Sequence, residues 1–375
     1  MDSGLTAAIK EYSHENAHIH RVDGGVGAAG SAAVAGGSGA GRTNRRGWLR
    51  GLGAYASGAA AAAVLGGSMT PKARAQATGG PTLGEIAVLQ FLAAAEQIET
   101  DLWQQYTELA EENPAFMAAL SEIDPSLIQY INDDRDDELS HANLINAYLI
   151  SVGAKPVDLN PFKTLPSSGA TGAEQVGRIT NLTSLNVDTS WYNRYRGQGN
   201  PDFGDAFPQL VDIVGRPTIP TSNRMRFHEY RAAAHCAAFH FCAIEQGGGS
   251  LYLDLLGRVR TPDVVAILSS IGPVEVYHFA TFHKSLEGLT GLDAGGGLVF
   301  PNLRADPGLA RLVMPEPCTF LSPNLPLCSV IRPRSTAKAG AVAAATGLIG
   351  SGLFNGQSQA FFNAVAALAA AADNA

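Results

Sequence analysis

Two long apolar segments of this sequence contain the pattern Glu-x-x-His, which can bind metal. The copies are Glu138/His141 and Glu275/His278. Residues i and i+3 face the same side of an α-helix, so each pair directs a carboxylate oxygen and an imidazole nitrogen to one point. Such donors suit divalent transition metals. A hydrogen bond on the helix surface is the alternative for either pair taken alone. Another copy, Glu15/His18, lies in the N-terminal leader, and we set it aside.

An internal repeat supplies two more carboxylates. "AEQIETDLW" at 95–103 aligns with "IEQGGGSLY" at 244–252, which matches Glu96 with Glu245 and Trp103 with Tyr252. Each half of the chain then has a helix with one Glu, followed by a helix with Glu-x-x-His. Glu99 lies one turn beyond Glu96 and could replace it. The repeat favours Glu96, because the counterpart of Glu99 is a glycine.

The two halves together predict one dinuclear metal site. Two helical hairpins related by a pseudo-twofold axis would gather four carboxylates and two imidazoles around an interior point. Oxygen ligands with two nitrogens favour Fe or Mn over structural Zn. Two divalent ions would neutralise four acids that otherwise repel one another in a core. The predicted ligands are Glu96, Glu138, His141, Glu245, Glu275 and His278.

Four long helices are predicted to carry these ligands. Apolar residues recurring at three and four place the helices at about 82–112, 124–152, 222–256 and 261–288. Thr82 and Glu85 form a capping box, and Thr261 is the predicted N-cap of the fourth helix. Gly247–249 should interrupt or loosen the third helix, and Pro273 should kink the fourth.

The remaining segments divide the chain into three parts. Residues 153–221 lack sustained periodicity and form a long crossover, as expected if the second and third helices run parallel. Together with the helices they make a predicted domain at 76–290. Residues 291–375 form an extension that is rich in Pro and Gly and then in Ala.

The N-terminal part, 1–75, has the order of features expected of a disordered leader and an export signal. Arg45 and Arg46 precede Trp48, a weakly apolar stretch and a small-residue cleavage site near Ala75 or Ala77. This order predicts a twin-arginine signal and an exported, periplasmic or extracellular protein. A disordered basic linker is the alternative.

Composition limits the class of protein. The chain has 375 residues, a formal net charge of −8, 46% hydrophobic residues and 16% charged residues. These values are typical of soluble globular proteins. The acidic balance argues against nucleic acid and anionic membrane surfaces as partners. No segment after the leader is long and apolar enough for a stable membrane span.

The helical segments resemble the ferritin-like superfamily. "AEQIETDLW", "DDELSHANLI", "IEQGGGSLY" and "VEVYHFATFH" are similar to its four helices, over roughly 82–152 and 222–290. Within it, the chain looks like exported bacterial proteins related to plant desiccation-related proteins. The resemblance implies an all-α, up-down-down-up four-helix bundle. It also implies bridging carboxylates at Glu138 and Glu275, terminal ones at Glu96 and Glu245, and one histidine on each metal.

The predicted function is an exported dinuclear Fe or Mn protein that reacts with O₂ or peroxide. Its partners would be two metal ions, the oxidant, and the twin-arginine translocase during export. The alternative is a non-catalytic structural or desiccation-stress protein that uses the same bundle. A plain helical binding module is a third hypothesis, and it requires the six ligands to diverge or face solvent. The sequence leaves Fe versus Mn open and is compatible with a homo-oligomer.

Other polar and aromatic residues receive structural interpretations. We interpret the acidic run Asp133, Asp134, Asp136 and Asp137 as a solvated face; the alternative is that it orients His141 or admits cations. Four more histidines are predicted to be surface or core residues: His228, His235, His240 and His283. Three aromatics are predicted core residues, with a radical or electron relay as the alternative: Trp103, Tyr106 and Tyr252. The spacing of Cys318 and Cys328 would allow a short disulfide-closed loop, whereas Cys236 and Cys242 are predicted core residues.

Overall fold

The structure is a computed structural model that describes residues 79–194, 208–306, 317, 319–330 and 340–375. The described chain is mostly helical. Its long helices are α1 (Leu83–Glu112), α3 (Leu127–Ser151), α5 (Phe227–Leu256) and α6 (Pro262–Ser285), and its shorter ones are α2 (Pro114–Ile123), α4 (Ser190–Arg194), α7 (Ala341–Gly350) and α8 (Gln359–Asp373). Two antiparallel ladders join β1 (Leu185–Val187) to β2 (Ile213–Arg216) and β3 (Leu292–Gly295) to β4 (Leu298–Phe300). The predicted leader and export signal, 1–75, lie outside the described residues.

A capping box begins α1, where the sequence predicts it. The Glu85 amide donates to Thr82 Oγ1 at 3.1 Å, and the Thr82 amide donates to Glu85 Oε2 at 2.8 Å. Glu85 also accepts hydrogen bonds from the backbone amides of Arg260 and Thr261, each at 2.6 Å. Burial alone would raise the pKa of Glu85, but these hydrogen bonds lower it to about 2. One carboxylate therefore holds the start of α1 against the start of α6.

The chain continues as a helix after Pro114 instead of entering a loop. Asn113 caps α2, since its Oδ1 accepts from the Phe116 amide at 3.1 Å, and Pro114 occupies the first turn. Proline fits this position because it lacks only an amide that has no partner within the helix. α3 then begins at Leu127, three residues later than the sequence predicts.

The long helices pack as two pairs, α1 along α3 and α5 along α6, and α8 packs against α1. Aromatic side chains fill the space between the pairs. The Trp103 indole stacks on Phe282 with ring centroids 5.1 Å apart and contacts Phe241 at 5.0 Å. Tyr106 meets Phe241 edge-on at 4.7 Å. All four rings are at most 2% exposed, so they form part of the main core.

α5 is one helix from Phe227 to Leu256, so the predicted interruption at Gly247–249 is wrong. Glycine disfavours an isolated helix by about 1 kcal/mol per residue, but tertiary packing can override that preference. α6 is also continuous through Pro273, and the kink predicted there stays a prediction.

The crossover contains short regular elements and is anchored to α1. A 3-10 turn at Asn160–Phe162, β1, α4 and β2 lie within it. Asp101 Oδ2 accepts three hydrogen bonds from it: the Ile179 amide at 3.0 Å, the Thr180 amide at 2.9 Å and Thr180 Oγ1 at 2.7 Å. One α1 carboxylate thus holds a segment almost 80 residues away.

The C-terminal helices are joined by another capping carboxylate. Asp373, at the end of α8, accepts hydrogen bonds from the amides of Ala341 and Val342, at 2.8 and 2.9 Å. It also pairs with Arg258 Nη1 at 2.9 Å. The start of α7 is therefore fixed to the end of α8.

Among the described residues, the stretch Pro262–Gly288 is long and apolar enough to cross a membrane by length and composition alone. Core helices of soluble proteins meet the same criterion. This stretch carries Glu275 and His278, two buried ionisable side chains that pack against other helices. The absence of a stable membrane span stays a prediction.

Candidate metal centre

The structure brings the six predicted ligands together in the interior. They lie on four helices: Glu96 on α1, Glu138 and His141 on α3, Glu245 on α5, Glu275 and His278 on α6. The four glutamates are at most 1% exposed, and each histidine is 7% exposed. The arrangement does not fit the third hypothesis, in which these residues diverge or face solvent.

The first group forms around His141. Its Nδ1 lies 3.3 Å from Glu96 Oε2, 3.3 Å from Glu138 Oε2 and 3.5 Å from Glu275 Oε1. One ligand atom from each of these four residues lies within 4.8 Å of the others. Three carboxylates and one imidazole therefore face a common point.

The second group forms around His278 and includes a residue that the sequence analysis placed elsewhere. His278 Nδ1 lies 2.7 Å from Asp134 Oδ1, 3.2 Å from Glu138 Oε1 and 3.1 Å from Glu245 Oε2. These four residues also offer ligand atoms within 4.8 Å of one another. Glu138 thus belongs to both groups, with one oxygen toward each histidine.

Asp134 corrects the interpretation of the acidic run as a solvated face. It is 1% exposed, whereas Asp133, Asp136 and Asp137 are half-buried. It approaches His278, not His141, which the alternative interpretation named. The signal in the sequence was spacing, because Asp134 precedes Glu138 by four residues and therefore lies on the same helix face.

Residues around the groups orient them. The outer nitrogen of His278, Nε2, lies 3.2 Å from Asp137 Oδ2. The Trp103 indole donates to Glu245 Oε1 at 3.1 Å, and the Tyr252 hydroxyl donates to Glu96. Trp103 of the first repeat thus bonds Glu245 of the second, and Tyr252 of the second repeat bonds Glu96 of the first. Such outer partners fix the direction of metal ligands.

The carboxylates have few protein partners. Each Nδ1 faces three carboxylate oxygens and can donate at most one proton. Within the described part of the chain, these buried oxygens accept no well-formed hydrogen bond: Glu96 Oε2, both Asp134 oxygens, Glu138 Oε1 and both Glu275 oxygens. Buried polar atoms normally find partners, and a bound ion is one way to satisfy those that the protein leaves unpaired. The donor set therefore fits two cations.

The pKa shifts of the carboxylates in the absence of cations also favour a site for two cations. Burial, with the charge of Glu96 adding to it, raises the pKa of Glu138 well above its ordinary value. Burial and the nearby charge of Glu138 do the same for Glu275. Burial and the charge of Asp134 raise the pKa of Glu245 to about 8. Several acids here would thus hold protons at neutral pH unless positive charge replaced them.

Glu96 and Glu99 have different environments. Burial alone would raise the pKa of Glu96, but hydrogen bonding with His141 lowers it overall. The pKa of Glu99 is raised well above its ordinary value by burial and then by the charge of Glu138. Glu99 lies near the site but belongs to neither group. The structure thus places Glu96, not Glu99, among the ligand atoms.

The other predicted structural residues lie outside both groups. His228 is exposed, and His235, His240 and His283 are buried. His235 contacts the carbonyl oxygens of Arg231 at 2.8 Å and Thr290 at 2.9 Å. Burial lowers the pKa of His240 to about 3, and its Nδ1 lies 2.8 Å from the Tyr106 hydroxyl. Cys236 and Cys242 are buried, and Cys328 is exposed. Cys318 lies outside the described residues, so the disulfide stays a prediction.

Comparison with known proteins gives one match. The sequence model of a family described as a ferritin-like domain matches residues 84–288, more than half of the chain. This range begins with α1, ends just after α6 and includes every residue of the two groups. No curated protein and no solved structure matches the chain.

Proposed function

The chain belongs to the ferritin-like domain family, and from that premise we propose that it is an exported dinuclear Fe or Mn protein that reacts with O₂ or peroxide. The observation that carries the proposal is the pair of buried groups, each with three carboxylates and one histidine, that share Glu138. Carboxylate oxygens with imidazole nitrogens suit Fe or Mn, whereas structural zinc sites have tetrahedral ligand sets dominated by Cys and His.

The proposed architecture is an up-down-down-up bundle of α1, α3, α5 and α6. Its support is the pairing of α1 with α3 and of α5 with α6. The carboxylate of Glu85, which accepts hydrogen bonds from the Thr82 amide at the start of α1 and from the Thr261 amide at the start of α6, also supports it. In this arrangement the crossover connects two parallel helices, which explains its length.

The chain's own residues would bind and orient the metal. Glu96, Glu275 and His141 would hold one ion, Glu245 and His278 the other, and Glu138 would contact both. When bound, Fe or Mn supplies the capacity to exchange electrons with O₂ or peroxide. Asp137 keeps the His278 ring turned so that Nδ1 faces the site. Trp103 and Tyr252 hold two of the glutamates from behind.

The histidine side of the site is the proposed approach for small reactants. His141 and His278 are each 7% exposed, whereas the four glutamates are at most 1% exposed. Asp137, which contacts His278, has a side chain that is 32% exposed. Solvent is therefore nearest the site between α3 and α6. The stacked rings of Trp103 and Phe282 are at most 2% exposed, and the Trp103 indole bonds Glu245, so these rings shield the site beside that carboxylate.

Export through the twin-arginine route is consistent with a metal protein. That route carries folded proteins, so the ions could be inserted before export. The paired arginines and cleavage site lie at 45–77, outside the described residues, and support the proposal by sequence alone. The resemblance to desiccation-related proteins is likewise carried by the helical motifs.

Two measurements test this function: the metal content of the protein and its rate of peroxide or O₂ consumption. The full chain, loaded with Fe(II) or Mn(II), should contain about two ions and consume peroxide or O₂. Glu138→Ala removes the residue common to both groups and should lose both metal and turnover. Asp133→Asn, which removes one half-buried charge outside the groups, is the control and should resemble the unmodified protein. Fewer than one ion per unmodified chain would overturn the proposal.

One observation favours a second candidate, a non-catalytic stress protein. Four carboxylates that are at most 1% exposed would suit an ion held for stability. In that case, metal should raise the melting temperature of the protein, and peroxide consumption should equal that of Glu138→Ala. Turnover above this variant would exclude the second candidate.

A further inference from the structure

We propose that Asp134 is a seventh metal ligand and that the site consists of two inequivalent halves joined through Glu138. The proposal rests on the dinuclear function proposed above. Asp134 is 1% exposed, and its Oδ1 lies 2.7 Å from His278 Nδ1. Its ligand atom lies within 4.8 Å of those of Glu138, Glu245 and His278. A divalent transition ion at the centre of this group would contact all four.

The alternative is that Asp134 merely orients the His278 ring. An orienting carboxylate bonds the ring nitrogen that points away from the metal. That nitrogen, Nε2, already contacts Asp137 at 3.2 Å. Asp134 lies instead at Nδ1, the nitrogen that Glu138 and Glu245 approach at 3.2 and 3.1 Å. Asp134 therefore lies on the ligand side of the imidazole.

Unsatisfied oxygens are the second, independent observation. Both carboxylate oxygens of Asp134 are buried and accept no well-formed hydrogen bond from the described residues. His278 Nδ1 carries at most one proton for three oxygens that lie within 3.2 Å of it. A buried carboxylate that must share one donor with two others, and has no cation, is costly. A cation in the second group removes that cost.

Asp134 also breaks the symmetry of the repeat. Glu138 corresponds to Glu275, so the counterpart of Asp134 is Ile271, a core residue that is 3% exposed. Glu275 belongs to the group of His141 and not to that of His278. Asp134 thus gives His278 the third carboxylate that Glu275 gives His141. One bridging residue, Glu138, then replaces the two implied by the sequence resemblance.

The test is a titration of the full chain with Mn(II). The electron paramagnetic resonance signal of the free ion measures how much Mn(II) remains unbound. The unmodified protein should bind two ions. Asp134→Asn should keep one with unchanged affinity and bind the second at least about 10-fold more weakly. Glu96→Gln should weaken the other ion instead. Asp133→Asn is the matched control, since it removes the same charge from the adjacent position and should bind as the unmodified protein does.

Stability provides a readout that does not depend on turnover. Asp134→Asn removes a charge from a cluster of acids, so without metal it should melt no lower than the unmodified protein. With saturating Mn(II) its melting temperature should rise less, because stabilisation follows affinity. Asp134→Ser, smaller and also without a carboxylate, serves as the second variant if Asn prevents folding.

The outcomes separate the two proposals. Two ions with unchanged affinities in the Asp134 variants would overturn this inference and leave the proposed function standing. Equal weakening of both ions would overturn the assignment of Asp134 to one half-site. No binding by the unmodified protein would overturn both the inference and the function on which it rests.

Discussion

Gly248 lies directly beside the carboxylate of Glu275, so close that a Cβ added to Gly248 would overlap with Glu275 Oε2. The glycine therefore makes room on α5 for a ligand carried by α6. The neighbouring Gly247 faces open space, with no described atom within 4 Å of an added Cβ. The counterpart of Gly248 in the first repeat is Glu99, so the first repeat has a carboxylate where the second has this glycine.

Gly248→Ala should therefore displace Glu275. Overpacking of this kind costs about 1–3 kcal/mol, because the carboxylate or the helix must move. We expect a lower melting temperature and fewer bound ions, read by circular dichroism and elemental analysis. Gly247→Ala is the matched control. It should hold the same metal and be more stable by up to about 1 kcal/mol, since alanine favours helix. Equal behaviour of the two variants would refute the role assigned to Gly248.

Tyr252→Phe should weaken metal binding without changing the packing of the ring. It removes only the hydroxyl that donates to Glu96. Losing an outer-sphere partner lowers metal affinity about 10–100-fold. Tyr106→Phe is the control, because its buried hydroxyl bonds Thr218 at 2.7 Å, away from both groups. Both variants should lose about 1–3 kcal/mol of stability. Only Tyr252→Phe should shift the Mn(II) titration, and an equal shift in Tyr106→Phe would contradict this prediction.

Much of the site could be proposed from the sequence because its ligands follow helical spacing and a repeat. Two Glu-x-x-His pairs and the match of Glu96 with Glu245 suffice to choose six residues. Asp134 was missed because it stands in an acidic run, and composition alone suggests a solvated surface there. Its distinguishing feature is the spacing of four from Glu138, which becomes decisive only once the buried face of α3 is known.

The fold was harder to predict from the sequence where contacts join segments that are far apart along the chain. The four long helices follow from apolar periodicity, within about five residues at their ends. The docking of the crossover depends on Asp101 and Thr180, which lie 79 residues apart. No local pattern identifies that pairing. The glycines of α5 led to a wrong prediction of a helix interruption. Glycine intrinsically disfavours a helix, but tertiary packing keeps α5 helical through these residues.

The crossover should contribute strongly to stability through Arg178. Its guanidinium pairs with Glu108 of α1, and the two side chains are 3% and 4% exposed. Arg178→Met would leave a buried carboxylate unpaired, which costs about 3–5 kcal/mol. Arg231→Met is the control, because its partner Glu122 is 41% exposed and surface pairs contribute at most about 1 kcal/mol. Urea unfolding of both variants tests this. Similar losses would show that the crossover is not anchored by this pair.

The metal-free protein should become less stable as pH rises from about 5 to 8. Burial, with the charge of Asp134 adding to it, raises the pKa of Glu245 from 4.5 to about 8. Glu138 and Glu275 shift in the same direction. Between the unfolded and folded pKa values, the folded chain holds protons that the unfolded chain has released. The free energy of unfolding therefore falls with pH across this window, and is fully retained below it.

Bound ions should change this pH dependence. Mn(II) replaces the protons on these carboxylates, and its affinity increases as they ionise. The melting temperature measured with a chelator should fall between about pH 5 and 8, and fall less with saturating Mn(II). Glu245→Gln, which cannot titrate, should flatten the metal-free curve. A metal-free melting temperature that holds steady or rises over this window would mean that these acids are ionised without cations. Their burial would then no longer argue for metal, because a cluster that remains charged and folded does not require a cation to neutralise it.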